Sequence, residues 1–160
     1  MTLVGLAVTA GALCLATGPL AKEAPTGMPD GVALVTQTAT QTATQTGEGY
    51  ELTVHDAAGA VGDSTAIVVV IKATGQYKVN AKYPHKVKLG EPPAGLELPR
   101  RTLKRADGEL GDAQTFTFRI PAKATKAGSF AVTGKLKFSV CDATSCLIKK
   151  EALAATVTAK

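Results

Sequence analysis

Hydrophobic and polar residues alternate along most of the chain beyond its first third. Residues 135–140 give the clearest case: Leu136, Phe138 and Val140 fall on one side, and Lys135, Lys137 and Ser139 on the other. That period of two is the mark of a strand with one buried face. Residues 115–120 repeat it with Phe116, Phe118 and Ile120, and Pro121 is expected to end the strand. Tyr50–His55 alternates as well. Residues 65–73 differ, because Ile67-Val68-Val69-Val70-Ile71 is an unbroken β-branched run suited to a central strand buried on both faces. Residues 77–83 are expected to pair back on it, Pro84 to end them, and residues 87–89 to start another strand. Residues 90–95, with two prolines and two glycines, read as a loop. Residues 151–159 are expected to form the last strand, although their alanines also permit helix. Turn signals recur about every ten residues, which predicts an all-β antiparallel sandwich.

The N-terminal part has a different texture. Residues 1–21 carry no charge, and residues 3–16 are nearly continuously apolar. Such a run is short for a membrane span, which needs about 20 apolar residues. It matches the apolar region of a secretory signal. The expectation is export to the periplasm or cell surface, with the segment either cleaved or kept as a membrane tether. Cys14 adds lipidation as an alternative, although Leu13 before it is a poor match. Residues 22–48 hold Pro25, Pro29 and the Thr-Gln-Thr-Ala repeat of residues 36–46, which has no apolar face and reads as a flexible linker. The domain is expected over residues 49–160.

Composition narrows the picture. Hydrophobic residues make up 45%, aromatic residues 4%, and tryptophan is absent, so the core must be mainly Val, Leu, Ile and Ala. The net charge of +5 is spread among acidic residues and does not point to nucleic acid. The densest basic run, Arg100, Arg101, Lys104 and Arg105, reads as a solvated loop or an edge strand guarded by charge. Contact with an acidic partner or lipid headgroups is the alternative. Ser64, Ser129, Ser139 and Ser145 have no hydrolase motif around them.

The candidate chemistry lies in Cys141 and Cys146. Their spacing suits a hairpin with one cysteine at each strand end, where the Cα atoms stand about 4.5–5.5 Å apart and a disulfide can form. An even thiol count in an exported domain argues for an oxidising compartment. Parity puts Cys141 on the side of Ser139, away from the core. Lys137, Lys149 and Lys150 would favour a thiolate and Asp142 would oppose it. Two readings stand side by side: a redox couple with Cys141 and Cys146 as the catalytic thiols, and a structural staple worth roughly 2 kcal/mol for so short a loop. A metal site from both cysteines with His85 and His55 is not supported by spacing, and no metal or cofactor is expected.

The segments Gly75-Gln76-Tyr77-Lys78-Val79-Asn80, Val87-Lys88-Leu89 and Pro93-Ala94-Gly95-Leu96-Glu97-Leu98, followed by an alternating strand and then residues 138–146, resemble the N-terminal periplasmic domain of the thiol:disulfide interchange protein DsbD. The resemblance covers residues 49–160. It implies an immunoglobulin-like sandwich whose cysteine pair takes electrons from a membrane-embedded domain and passes them to thioredoxin-like partners, with Cys141 and Cys146 at the matching positions. Leu147-Ile148-Lys149-Lys150 after the second cysteine departs from the family pattern. No thioredoxin-like Cys-x-x-Cys is present, so a thioredoxin-like or membrane oxidoreductase partner is expected on another polypeptide. The function expected first is exported thiol–disulfide exchange. The alternative is a non-catalytic binding or scaffold sandwich locked by the same bond.

Overall fold

The alternating segments stack into two sheets that share one core. The computed structural model describes residues 41–160. The apolar segment 1–21, Cys14 and residues 22–40 of the expected linker lie outside the described residues. In chain order the strands are β1 Thr42–Gly47, β2 Tyr50–His55, β3 Ala57–Gly59, β4 Ser64–Ala73, β5 Lys78–Val79 and β6 Lys86–Leu89. They continue with β7 Leu96–Glu97, β8 Thr102–Lys104, β9 Gly108–Asp112, β10 Thr115–Ala124, β11 Gly128–Cys141 and β12 Cys146–Ala159. One turn of 3₁₀ helix, Arg105–Asp107, joins β8 to β9.

The first sheet runs β1-β2-β4-β10-β7, with β9 also on β10. The second runs β3-β12-β11-β6-β8, with β5 also on β11. Every pairing is antiparallel except β3 with β12. Strands β2, β4, β10 and β9 occupy the A-B-E-D places of an immunoglobulin-like sandwich, and β12, β11, β6 and β8 the G-F-C-C′ places. The chain crosses between sheets at Asp56, whose Oδ1 accepts the Thr156 N–H at 2.8 Å.

The inner faces follow the period-two pattern. Leu52, Val54, Ile67, Val69, Ile71, Phe116, Phe118 and Ile120 are buried from the first sheet, and Val87, Leu136, Phe138, Val140, Leu153 and Val157 from the second. Tyr50 and Phe138 join the layers edge to face at 4.8 Å. The Tyr50 hydroxyl donates to Glu151 Oε1 at 2.6 Å. Burial, then the Glu151 carboxylate, pushes that hydroxyl up to about 12. Gly134 faces Leu89 across the β11–β6 pair, and a Cβ there would come within 2.7 Å of the Lys88 carbonyl oxygen.

Several expectations need correction. The linker assigned to residues 22–48 is a strand at its end: β1 pairs with β2 through six residues. The two-residue turn Glu48-Gly49 brings it back, with Gly49 at φ 77° and a Cβ there only 2.8 Å from the Tyr77 ring. Backbone pairing holds β1, whose side chains are nearly all exposed. The run Ile67–Ile71 is buried on one face only, and Val68 and Val70 on the outer face are half-buried, as in a sandwich sheet with one solvated side. Pro121 does not end β10. It falls between the stretches covered by β9 and β7, where residues 119–122 pair with β4 alone, so a missing N–H is tolerated. Within residues 77–83 only β5 forms, and it pairs with β11 rather than β4. The alanine-rich end, by contrast, is the strand expected of it, because β12 carries a continuous ladder with β11.

This layering predicts that Phe138→Ala lowers unfolding free energy by about 3–5 kcal/mol, measured by denaturant titration. Ile148→Ala, on the outer face and 57% exposed, is expected to change it by no more than about 0.5 kcal/mol.

Candidate functional site

Fourteen consecutive residue pairs join β11 to β12, from Gly128↔Ala159 to Cys141↔Cys146. Parity along that ladder sends Leu136, Phe138 and Val140 to the core and leaves both cysteines on the outer face. There they form a disulfide, with Cα atoms 4.0 Å apart, closer than the spacing expected from sequence. Cys146 is exposed and Cys141 half-buried.

The loop that closes the hairpin, Asp142 to Ser145, is organised by its first residue. The Asp142 N–H donates to the Ser145 carbonyl at 2.9 Å. Its Oδ1 accepts the Thr144 N–H at 2.7 Å, the Ser145 N–H at 2.7 Å and the Thr144 hydroxyl at 2.9 Å. These bonds, led by that from the Thr144 N–H, hold the Asp142 carboxyl below its ordinary 3.8. The carboxylate therefore serves the loop rather than a sulfur.

Around the sulfurs the hydrogen-bonding groups are neutral. Asn80 Nδ2 lies 3.9 Å from Cys146 Sγ, and Ser139 Oγ lies 3.9 Å from Cys141 Sγ. Ser139, on the outward side by parity, is fully buried rather than solvated. The turn after β5 lies beside it: the Asn80 N–H donates to the Ser139 carbonyl at 3.0 Å, and the Tyr83 ring sits 5.8 Å from the Lys137 ammonium on the same face. Asn80 is held in turn by His85, whose Nε2–H donates to the Asn80 carbonyl at 2.8 Å. His85 packs on Phe116 at 4.8 Å. Burial, reinforced by the Arg105 charge and opposed by the bond to Asn80, pushes its imidazole below the usual histidine value.

The lysines expected to tune a thiolate are rearranged. Lys149 points to the other face and pairs with Glu48 at 3.7 Å. Lys137 and Lys150 share the cysteine face but stand four residues along their strands, about 13 Å away. The cation nearest by register is Lys78, directly opposite Cys141 on β5. No local pattern pointed to it, because the β5–β11 pairing joins segments some sixty residues apart.

The remaining candidates do not converge. His55 Nδ1 lies 3.1 Å from Thr42 Oγ1 on the first sheet, and no group of three or more metal-ligating side chains occurs among the described residues. The basic run is divided: Arg100 pairs with Asp107 at 2.6 Å and Arg101 with Glu91. Lys104 lies on the edge strand β8, as charge protection of an edge requires.

No family model matches the chain, and no curated protein matches it. Among solved structures, AggA, the major subunit of aggregative adherence fimbriae type I from Escherichia coli, aligns at a TM-score of 0.37 and 6% identity, over 75% of this chain and 96% of that one. No helix among the described residues is long and apolar enough to cross a membrane.

Proposed function

We propose that this chain is an exported, non-catalytic binding domain whose C-terminal hairpin is locked by the Cys141–Cys146 disulfide. One observation carries the reading: the disulfide closes the last rung of an unbroken ladder while its sulfurs meet only neutral hydrogen-bonding groups among the described residues. A working redox thiol is favoured by a neighbouring cation that stabilises the thiolate. Here the expected Lys149 is committed to Glu48 on the opposite face.

The tip has two locks, and both act locally. Beyond the stretch of β11 that pairs with β6, only the two residues of β5 support its open side. The disulfide and the Asp142 loop hold the two strand ends in register where lateral support is thin. A loop this short gives the bond roughly 2 kcal/mol by chain entropy, modest beside a core of this extent.

Thiol–disulfide exchange with a thioredoxin-like or membrane oxidoreductase partner is the second reading. It follows from the resemblance to the DsbD N-terminal domain. Two observations favour it: Cys146 is exposed, and Lys78 stands opposite Cys141.

Equilibration of the purified domain against thiol–disulfide buffers separates the two. The staple reading predicts a potential below about −300 mV. A potential of roughly −120 to −270 mV, with Cys141→Ser or Cys146→Ser abolishing exchange with a thioredoxin-like protein, would replace it with the second. The paired Cys141→Ser/Cys146→Ser variant is expected to fold and to lose roughly 2 kcal/mol. A loss of the native fold would contradict a local lock.

The loop has its own pH signature. A carboxyl depressed in the folded state stabilises fully above its unfolded value, here 3.8, and that contribution is lost as pH falls through the lower folded-state value. The Thr144 and Ser145 amide resonances are therefore expected to titrate with a midpoint below 3.8 and to stop titrating in Asp142→Asn. A midpoint at or above that value would show that the carboxylate does not hold the loop.

A further inference from the structure

One free edge of the first sheet, strand β1, is built unlike the other sheet edges. A strand edge carries unpaired N–H and C=O groups, and folds ordinarily keep it short, charged or covered. Among the described residues β3, β5, β7 and β8 have two or three residues each. Strand β9 carries Glu109 and Asp112, and its register on β10 breaks between Thr115 and Phe116. The gap beside β10 holds Arg119 and Pro121. The open side of β12 belongs to a strand with Lys149, Lys150 and Glu151, and side chains cap it. Gln45 Nε2–H donates to the Ala152 carbonyl at 3.2 Å, and Asp56 accepts the Thr156 N–H. Strand β1 has none of these guards: it has six residues, no charge, no proline and an unbroken register on β2.

The β1–β2 ladder decides which backbone groups of β1 are free. The Asp56 N–H donates to the Gln41 carbonyl at 3.0 Å, so Gln41 and Asp56 face each other as a bonded pair. Bonded and non-bonded pairs alternate along an antiparallel ladder. Ala43, Gln45 and Gly47 therefore turn their backbone groups to β2. Thr42, Thr44 and Thr46 send theirs outward, and their side chains are exposed as well. No hydrogen bond among the described residues meets those outward groups.

The same strand is its own complement. Residues 36–46 read Thr-Gln-Thr-Ala-Thr-Gln-Thr-Ala-Thr-Gln-Thr in either direction about Gln41, and residues 40–46 do so about Ala43. Two strands related by a two-fold axis run antiparallel, so each is read backwards against the other. A palindrome then sets like against like. Centred on Ala43, Thr42 faces the second copy's Thr44, and Gln41 faces its Gln45. The outward groups of Thr42 and Thr44 thereby meet each other in bonded pairs. Facing threonines support an antiparallel sheet, and these rungs set no like charges together. Gln45 gives its amide N–H to Ala152, which leaves its amide oxygen for the second copy's Gln41. A foreign strand would be chosen by pockets or charges for its side chains, and β1 offers neither.

We propose that β1 is a homodimer interface, where two copies pair edge to edge about Ala43 and join their first sheets into one. Two-fold pairing consumes the edge, so assembly closes at two copies and does not continue into a fibre. The inference goes beyond the binding-domain reading and does not depend on the state of the Cys141–Cys146 bond.

Sedimentation equilibrium of the full chain over a concentration series tests it. A dimer in equilibrium with monomer is expected, and the Thr42 and Thr44 amides should gain protection from hydrogen exchange as the dimer forms. Thr42→Lys/Thr44→Lys sets like charges opposite at both central rungs and should weaken the dimer about tenfold at low salt. Thr42→Glu/Thr44→Glu should do the same. Mixing the two variants brings Lys against Glu at both rungs and should restore association as a heterodimer. Thr44→Pro removes an outward N–H and no bond to β2. It should weaken the dimer while the β2 amides keep their protection. A monomer at every concentration up to about 1 mM, association unchanged in both charged variants, or a mixture no more dimeric than its parts would overturn the proposal.

Discussion

The register of one hairpin governs this molecule. With Cys141 opposite Cys146, every second residue of β11 and β12 is assigned to the core or to the outside. Because the side-chain period of a strand is two, a slip of one residue would exchange those faces. Phe138 would leave its contact with Tyr50, and Lys137 would enter a space with no acceptor. Burying an unpaired ammonium costs far more than the hairpin gains from any single backbone bond. The core side therefore fixes the register, and the outer face inherits its arrangement of cysteines and lysines as a consequence.

That inheritance explains how a row of mutually repelling lysines persists, with Lys104, Lys86, Lys137 and Lys150 in register across β8, β6, β11 and β12. Its repulsion acts in water and is screened over about 10 Å at ordinary salt. Leu136, Phe138 and Val140 on the reverse of the same strand are fully buried, and apolar burial of that extent outweighs screened surface repulsion several-fold. A stable core can thus carry an unfavourable surface pattern without loss of fold.

Much of this was legible from residue order. The two-period in residues 135–140 and 115–120 gave the inward faces correctly, and the Cys-x4-Cys spacing gave the hairpin and its disulfide. What escaped depends on contacts distant in sequence. Strand β1 has no apolar face, and its pairing with β2 follows from the Glu48-Gly49 turn rather than from burial. Ser139 obeys the parity rule, yet it is buried because the Asn80–Tyr83 turn closes over its side of the sheet. Pro121 stays in β10 because the neighbouring coverage has a gap there. The lysine row draws one residue from each of four strands spread over residues 86–150, so no local window contains it.

The disulfide and the lysine face meet on the same side of one hairpin, and their mechanical relation follows from what supports β11. Along residues 134–137 it is flanked by β6 and β12, so the lysines stand on a rigid three-strand base. Toward residue 141 the flanking strand shrinks to β5, and right-handed twist would let an unsupported two-strand ribbon coil away from the sheet. Fraying at that end propagates back by whole residue pairs, and Lys137↔Lys150 lies only four pairs from the tip. A covalent rung at Cys141–Cys146, with Asp142 holding the loop, stops the fraying before it reaches the row. On this view the bond contributes little to whether the domain folds. It keeps the cationic row straight where the sheet alone would let it bend.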